Sequence, residues 1–522
     1  MCTPDSGGVA RPRTDHTSLP PELWIEIFRY ATYVPRVRGL SPGDPFEPQR
    51  PSNYAWGVNT PVSSLATKRS LVLVCRAWRR LATELLYEHV VISSRRRANL
   101  LVRTLHESDQ RAARGCAPSA DGEVPRGHAQ WVRHVEIRDC ARTSKTVSFW
   151  QAVAAILARL PNLHVLSGIW ERPLAQNLLD MFSRYLGGSI RRLYWEEGLI
   201  PEGGASLLTA AFLPKYQSLR VLDVRKLRLQ DPDSFPVGAA AHVALPAVVD
   251  LLIPTCPALL RFAAELALPR LRRLVLDAAN VARSGDAAVL RGLDALLRAH
   301  GPKVATLELL PMTSLSEAPS PISITTFLQP DVCPSLTTLV FDAREKLLSA
   351  SSPWTTSPPR KGSSPPASSP APPRTPSPPR ARGVSPIPEP PVLSEPHPSL
   401  RRVGIRGMGI SRLYPNRPTH AQAHLHAFLT HRTLFPALET VRTLGLLVDA
   451  STDLLARDIF IWWTEKFEEQ GLDLQDGEGV VWLYTDSMDG QEPAAAEEQL
   501  VASNHTELVH KSDPRELNAA KT

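Results

Sequence analysis

A six-residue apolar pattern, LxxLxL or a close variant, returns ten times between residues 132 and 443. Clear copies are VRHVEI (132–137), IRRLYW (190–195), LRVLDV (219–224), VVDLLI (248–253), LRRLVL (271–276), VATLEL (304–309), LTTLVF (336–341) and LRRVGI (400–405). LHVLSG (163–168) and LETVRT (438–443) are weaker ones. The last three positions alternate, which is the period-two mark of a strand with one buried face. The first apolar residue packs at the turn leading in. From 132 to 336 successive copies start 31, 27, 29, 29, 23, 33 and 32 residues apart. A unit of that size cannot bury its own apolar face and is stable only when neighbours stack on it.

Pattern and period resemble leucine-rich repeats. Between the strands, FWQAVAAILARL (149–160) and AAVLRGLDALLRAH (287–300) have helical periodicity and predict the convex side. The expected fold class is α/β. A small N-terminal helical module precedes an irregular leucine-rich-repeat solenoid, with parallel strands and helices on the convex side, over 128–345 and again over 398–485. An ordinary α/β domain with a parallel sheet would have strands of like composition, but the number of copies at similar spacing favours repeats. Residues 351–398 hold 17 of the chain's 50 prolines along with many serines. That composition buries nothing, so 350–397 is expected to be a disordered insertion. DIFIWWTEKFEE (458–469) predicts a helix covering the last repeat, and the polar ends 1–17 and 486–522 are expected to be loose.

Charge and motif content exclude several functions. Basic residues number 59 against 52 acidic, a net +7 spread thinly apart from Arg95, Arg96 and Arg97, so no nucleic-acid partner is expected. The six cysteines, at 2, 75, 116, 140, 256 and 333, show no paired spacing, as expected of free thiols in a reducing compartment. No run approaches the ~20 apolar residues that span a bilayer, and the N-terminus lacks a secretory apolar core. The expected location is the cytoplasm and/or nucleus, with no membrane partner. His420 and His424 have helical spacing, but the intervening AQA lacks the glutamate of a zinc protease. The Gly404–Gly409 stretch is no dinucleotide or phosphate loop. No catalytic residue, cofactor or metal is expected, and the chain reads as a non-enzyme.

The N-terminus is more specific. In LPPELWIEIFRYA (19–31), apolar residues cover an arc far wider than the ~100° that one core requires, leaving only Glu22, Glu26 and Arg29 outside it. Such a helix wants burial on two sides. LVLVCRAWRRLATELLY (71–87) reads as a second helix with Leu71, Val74, Cys75, Trp78, Leu81, Ala82, Leu85 and Leu86 on one stripe. Two helices alone make too small a core, so a docking partner is implied.

SLPPELWIEIF followed by LVLVCRAWRRLA resembles the two halves of an F-box, with the recurring pattern LPxEL…IF and then L…VCRxWRxLA. The box would span 18–92, split by a connector at about 32–69 that is longer than the family's usual one. LLYEHVVI (85–92) resembles the way many fungal members leave the box. The resemblance implies docking on a Skp-type adaptor and, through it, on a cullin–RING core. Leu19, Pro20, Leu23 and Ile27 would make the first half of that contact, and Val74, Cys75 and Trp78 the second. The implied function is substrate recognition in a Skp–cullin–F-box ubiquitin ligase, with a non-catalytic repeat scaffold as the alternative. Outward strand positions would form the substrate face: His134, Glu136 and Arg138; Arg192 and Tyr194; Asp223 and Arg225; Arg273 and Asp277. Mixed signs there favour a protein ligand over a polyanion. Ser357 and Ser377, each in a Ser-Pro-Pro-Arg sequence, are candidate phosphosites for proline-directed kinases.

Overall fold

The computed structural model describes residues 19–33, 44–46, 60–115, 127–138, 146–171, 174–200, 212–229, 243–278, 286–310, 322–343, 395–414, 419–448 and 453–483. The chain divides into Met1–Trp482 and Leu483–Thr522, and all that follows belongs to the first unit. Ser357, Ser377 and the expected loose ends fall outside the described residues.

Among the described residues three helices come first: α1 (Pro21–Ala31), α2 (Pro61–Val74) and α3 (Arg76–Glu88). The first strands and helices of the sheet follow, β1 (His89–Ile92), α4 (Arg95–Gly115), β2 (His134–Arg138), α5 (Thr146–Leu157), β3 (Val165–Trp170), α6 (Gln176–Leu186) and β4 (Arg192–Ile200). Its middle contains β5 (Val221–Asp223), β6 (Leu227–Leu229), β7 (Asp250–Pro254), α7 (Pro257–Glu265), β8 (Arg273–Asp277), α8 (Asp286–His300) and β9 (Thr306–Leu310). The last part is β10 (Thr338–Asp342), β11 (Arg402–Arg406), α9 (His420–Thr430), β12 (Thr440–Leu444), α10 (Leu454–Glu468) and β13 (Asp473–Gln475).

All the strands pair in parallel in one sheet, and twelve follow one another in chain order with β6 set aside on β4. Each of the ten apolar patterns supplies one of these strands. Parallel neighbours need a crossover between them, and a period near thirty residues leaves room for one. In register, Val135, Leu166, Leu193, Leu222, Leu251, Leu274, Leu307, Leu339, Val403, Val441 and Leu474 line up across the sheet. All are buried in one continuous core with the inward faces of α5 to α10. The architecture is a solenoid-like α/β fold. Strands β6 and β13, each three residues long, lie outside the ten copies. The turn into β13 passes through Gly471 at φ +67°, left-handed backbone that suits glycine.

Two expectations need correction. Residues 71–87 do not form one helix. The chain breaks at Cys75, extended at φ −157° and ψ 171°, where the thiol accepts the Trp78 amide at 3.4 Å and starts α3. The connector is also shorter than 32–69, because α2 begins at Pro61. Thr60 Oγ1 accepts the Ser63 amide at 3.1 Å and Ser63 Oγ accepts the Thr60 amide at 2.8 Å, a reciprocal cap that a wheel centred on 71–87 does not reveal. Thr60→Ala is expected to lower the stability of this module by about 1 kcal/mol, read from chemical denaturation followed by tryptophan fluorescence. At the far end of the predicted insertion, His397 is buried, its Nε2 within 3.1 Å of the Cys333 carbonyl.

Candidate partner-binding surfaces

The three N-terminal helices have a small core of their own. Phe28, Ala82 and Leu85 are buried, with Trp24, Leu71, Val72, Trp78 and Leu81 packed around them. Trp78 holds this core together, its ring 5.0 Å from Trp24 and 4.8 Å from Phe28. Ser64 Oγ donates to the Thr32 carbonyl at 2.7 Å and ties α2 to the end of α1.

With one side of α1 spent on that core, the other is left to solvent. Leu23 is 49% exposed and Ile27, one turn on, 45%. Leu19 and Pro20, just before the helix, are exposed as well. At the end of α2, Leu73 is 81% and Val74 59% exposed, and Cys75 follows them at the surface. Six of the seven residues expected to meet an adaptor are therefore accessible. Trp78 is the exception, because it is half-buried inside the module. Where this module meets the sheet, a cleft of about 460 Å³ is lined by Ser64, Lys68, Tyr87, His89, Leu101 and Arg133, among others.

The second surface is the face of the sheet turned away from the core. Alternation along each strand sends His134, Glu136 and Arg138, Arg192 and Tyr194, Asp223, and Arg273 and Asp277 to that face. They are less accessible than a free ligand surface requires. His134, Arg192, Asp223 and Asp277 are buried. His134 stacks on His89 at 4.1 Å and shares a 2.7 Å hydrogen bond with Ser167 Oγ. The Glu136 carboxylate takes Arg138 Nε at 2.6 Å and lies 3.4 Å from His89 Nε2. Arg192 lies 4.3 Å over the Tyr194 ring, and Arg225 clasps Asp223 with both nitrogens at 2.7 and 2.9 Å. Glu308 joins Arg273 at 2.7 Å to Arg406 at 2.5 Å. Parallel register brings opposite charges of separate strands together on this face, Glu308 with Arg273 and Arg406 and Glu136 with His89.

Burial acts on these groups in a definite direction. It holds the His134 imidazole well below its ordinary 6.5, and the neighbouring His89 adds to the effect. Burial alone would raise Glu136, but hydrogen bonds from His89 and Arg138 outweigh it and lower its pKa to about 2. The unfolded chain therefore takes up protons that the folded one refuses. His134 contributes stability that is present above pH 6.5 and lost as the pH falls below it. Glu136 contributes a second share, present above 4.5 and lost towards 2. Glu136→Gln is expected to remove the second loss. Melting temperature followed from pH 7 to 3 in both proteins will read it, and an unchanged profile below 4.5 would count against this assignment.

Among the described residues there is no group of three or more His, Cys, Asp or Glu side chains that could hold a metal ion. His424, singled out by its spacing, is buried with Nε2 at 3.0 Å from the Ala343 carbonyl, and the side chain of His420 lies outside the described residues. Among the described residues no helix is long and apolar enough to cross a membrane. Compared with known proteins, the chain matches no family model and no curated protein.

Proposed function

We propose that this chain is the substrate-recruiting subunit of a Skp–cullin–F-box ubiquitin ligase. It would dock on a Skp-type adaptor through the N-terminal helices and hold a protein substrate on the polar face of the sheet. The observation that supports the docking half is the exposed apolar side of α1. A module with three fully buried side chains of its own leaves Leu19, Leu23 and Ile27 in water, together with Leu73 and Val74. Apolar groups of this size contribute about 1.5–3 kcal/mol each when covered, so a partner on this side would stabilise the module as well as bind it. No side chain of this chain does chemistry in this reading. Ubiquitin transfer is promoted by effective concentration, because the substrate is held beside a charged conjugating enzyme.

Capture of the full chain from cells, with the proteasome inhibited, tests it. Recovery of both adaptor and cullin supports the ligase, adaptor without cullin supports a non-catalytic scaffold, and recovery of neither would sink the proposal.

A further inference from the structure

Three residues from the connector between α1 and α2 lie far from it in sequence terms, on the polar face of the last strands. Asp44 Oδ2 accepts a bond from Arg402 Nη1 at 3.0 Å, and Asp44 Oδ1 accepts the Phe46 amide at 3.0 Å, which turns the segment. Two guanidiniums lie over the Phe46 ring, Arg402 at 4.8 Å and Arg442 at 5.2 Å from its centroid. Arg442 Nη1 also donates to the Phe46 carbonyl. Only 6% of Phe46 is exposed, and it forms a separate apolar cluster with Val340 and Leu444, on the side of the sheet away from the main core.

The sheet supplies the receiving hollow without any help from the segment. Val340, Gly404 and Arg442 are neighbours in register across β10, β11 and β12. A Cβ on Gly404 would come within 2.7 Å of Leu444 Cδ1 and 3.0 Å of Val340 Cγ2, so glycine is what lets these two apolar groups close together as a floor. Arg442 is steadied from the other side by Gln475 Oε1, 2.9 Å from its Nε. The result is an aromatic slot beside two cations, one guanidinium for a carboxylate and the other for a main-chain carbonyl. Every contact reads something a short peptide carries, and none requires that the peptide be joined to α1. Arg402 finds its carboxylate on the connector, at Asp44. Burial pushes the Asp44 carboxyl up, but the Phe46 amide and Arg402 outweigh it and hold it below the ordinary carboxylate value.

We propose that this hollow is a peptide-binding site for a short turn-forming segment with an acidic residue two positions before an aromatic one, and that Asp44–Phe46 occupies it as an internal competitor. The proposal rests on the reading that the polar face receives a protein substrate, and it names the chemistry of that substrate. A tethered segment competes at an effective concentration of about millimolar, so a free peptide of ~10 μM intrinsic affinity would bind the intact chain ~100-fold more weakly.

The test uses the full-length chain and a fluorescent synthetic peptide of residues 41–49, with binding followed by anisotropy. Asp44→Ala with Phe46→Ala is expected to strengthen peptide binding by at least ~10-fold over the unaltered chain, with Asp44→Ala alone giving a smaller gain. Adding Arg442→Ala should abolish the gain, and a peptide with alanine at the aromatic position should not bind. If the double variant melts earlier and still fails to bind the peptide, Phe46 is a structural brace and the proposal is overturned. Equal binding to the double variant and the intact chain, or a gain that survives Arg442→Ala, overturns it too. Because Asp44→Ala removes a half-exposed carboxylate outside any core, it remains informative if the double variant unfolds. No adaptor is present in this measurement, so its failure is distinct from a failure of adaptor docking.

Discussion

Leu23→Asp combined with Ile27→Asp is expected to abolish binding of a Skp-type adaptor while leaving the melting temperature of the free chain within a degree or so. Both side chains are about half exposed, and neither belongs to the cluster around Phe28. In the free chain the new carboxylates stay in water, where a surface substitution away from caps and cores shifts stability by about 0.5 kcal/mol or less. In the complex the same two positions would be desolvated. Losing two large apolar contacts forfeits about 3–6 kcal/mol, a factor of ~10²–10⁴ in affinity, before any cost of burying an unpaired charge. Calorimetric titration of purified adaptor into the two proteins measures the difference. Undiminished binding by the double variant would end the docking assignment. Trp78→Ala is a poorer probe, because it removes the ring on which Trp24 and Phe28 pack and would weaken the module as a whole.

Glu308→Ala is expected to destabilise the sheet by about 3 kcal/mol. Its carboxylate, 7% exposed, bridges Arg273 on β8 and Arg406 on β11, and truncation takes the shared acceptor from two largely buried guanidiniums. Removing one member of a buried charged group costs more than the group's net contribution, because the partners remain desolvated. Glu308→Gln, which keeps the shape and an acceptor oxygen, should lose roughly half as much. Burial raises the Glu308 carboxyl, yet Arg406 and Arg273 pull it below its ordinary value of 4.5 overall. Its contribution is therefore present above pH 4.5 and lost as the pH falls through the lowered value, and the Gln variant should lack that loss. Urea denaturation at pH 7 and pH 4 reads both effects; an Ala variant as stable as the parent would show that the bridge is solvated in solution.

The order of the sheet was legible because its cause is local. Leu339 and Phe341 must share a face whatever the rest of the chain does, since strand side chains alternate. Pattern and period together made ten strands readable, along with α5, α8 and α10, whose apolar residues recur at helical spacing. The N-terminal module was legible in part. Apolar excess on α1 follows from composition and the wheel alone, and the structure leaves Leu23 and Ile27 exposed on the side away from Phe28. The wheel over 71–87 misled because one extended residue, Cys75, resets the phase, so Val74 and Trp78 do not share a stripe.

Sequence by itself therefore determined ten of the strands, their parallel succession, α5, α8 and α10, and the surplus apolar side of α1, because each depends on residues within a few positions of one another. Only the tertiary structure decided which of the outward charges are spent on their neighbours. Glu308 meets Arg406 98 positions away, and Phe46 meets Arg442 396 positions away, through a register and a chain path that no local preference encodes. Contacts at such separations are selected by the whole packed sheet, which is why the Glu308 bridge and the hollow around Phe46 become visible only once it is assembled.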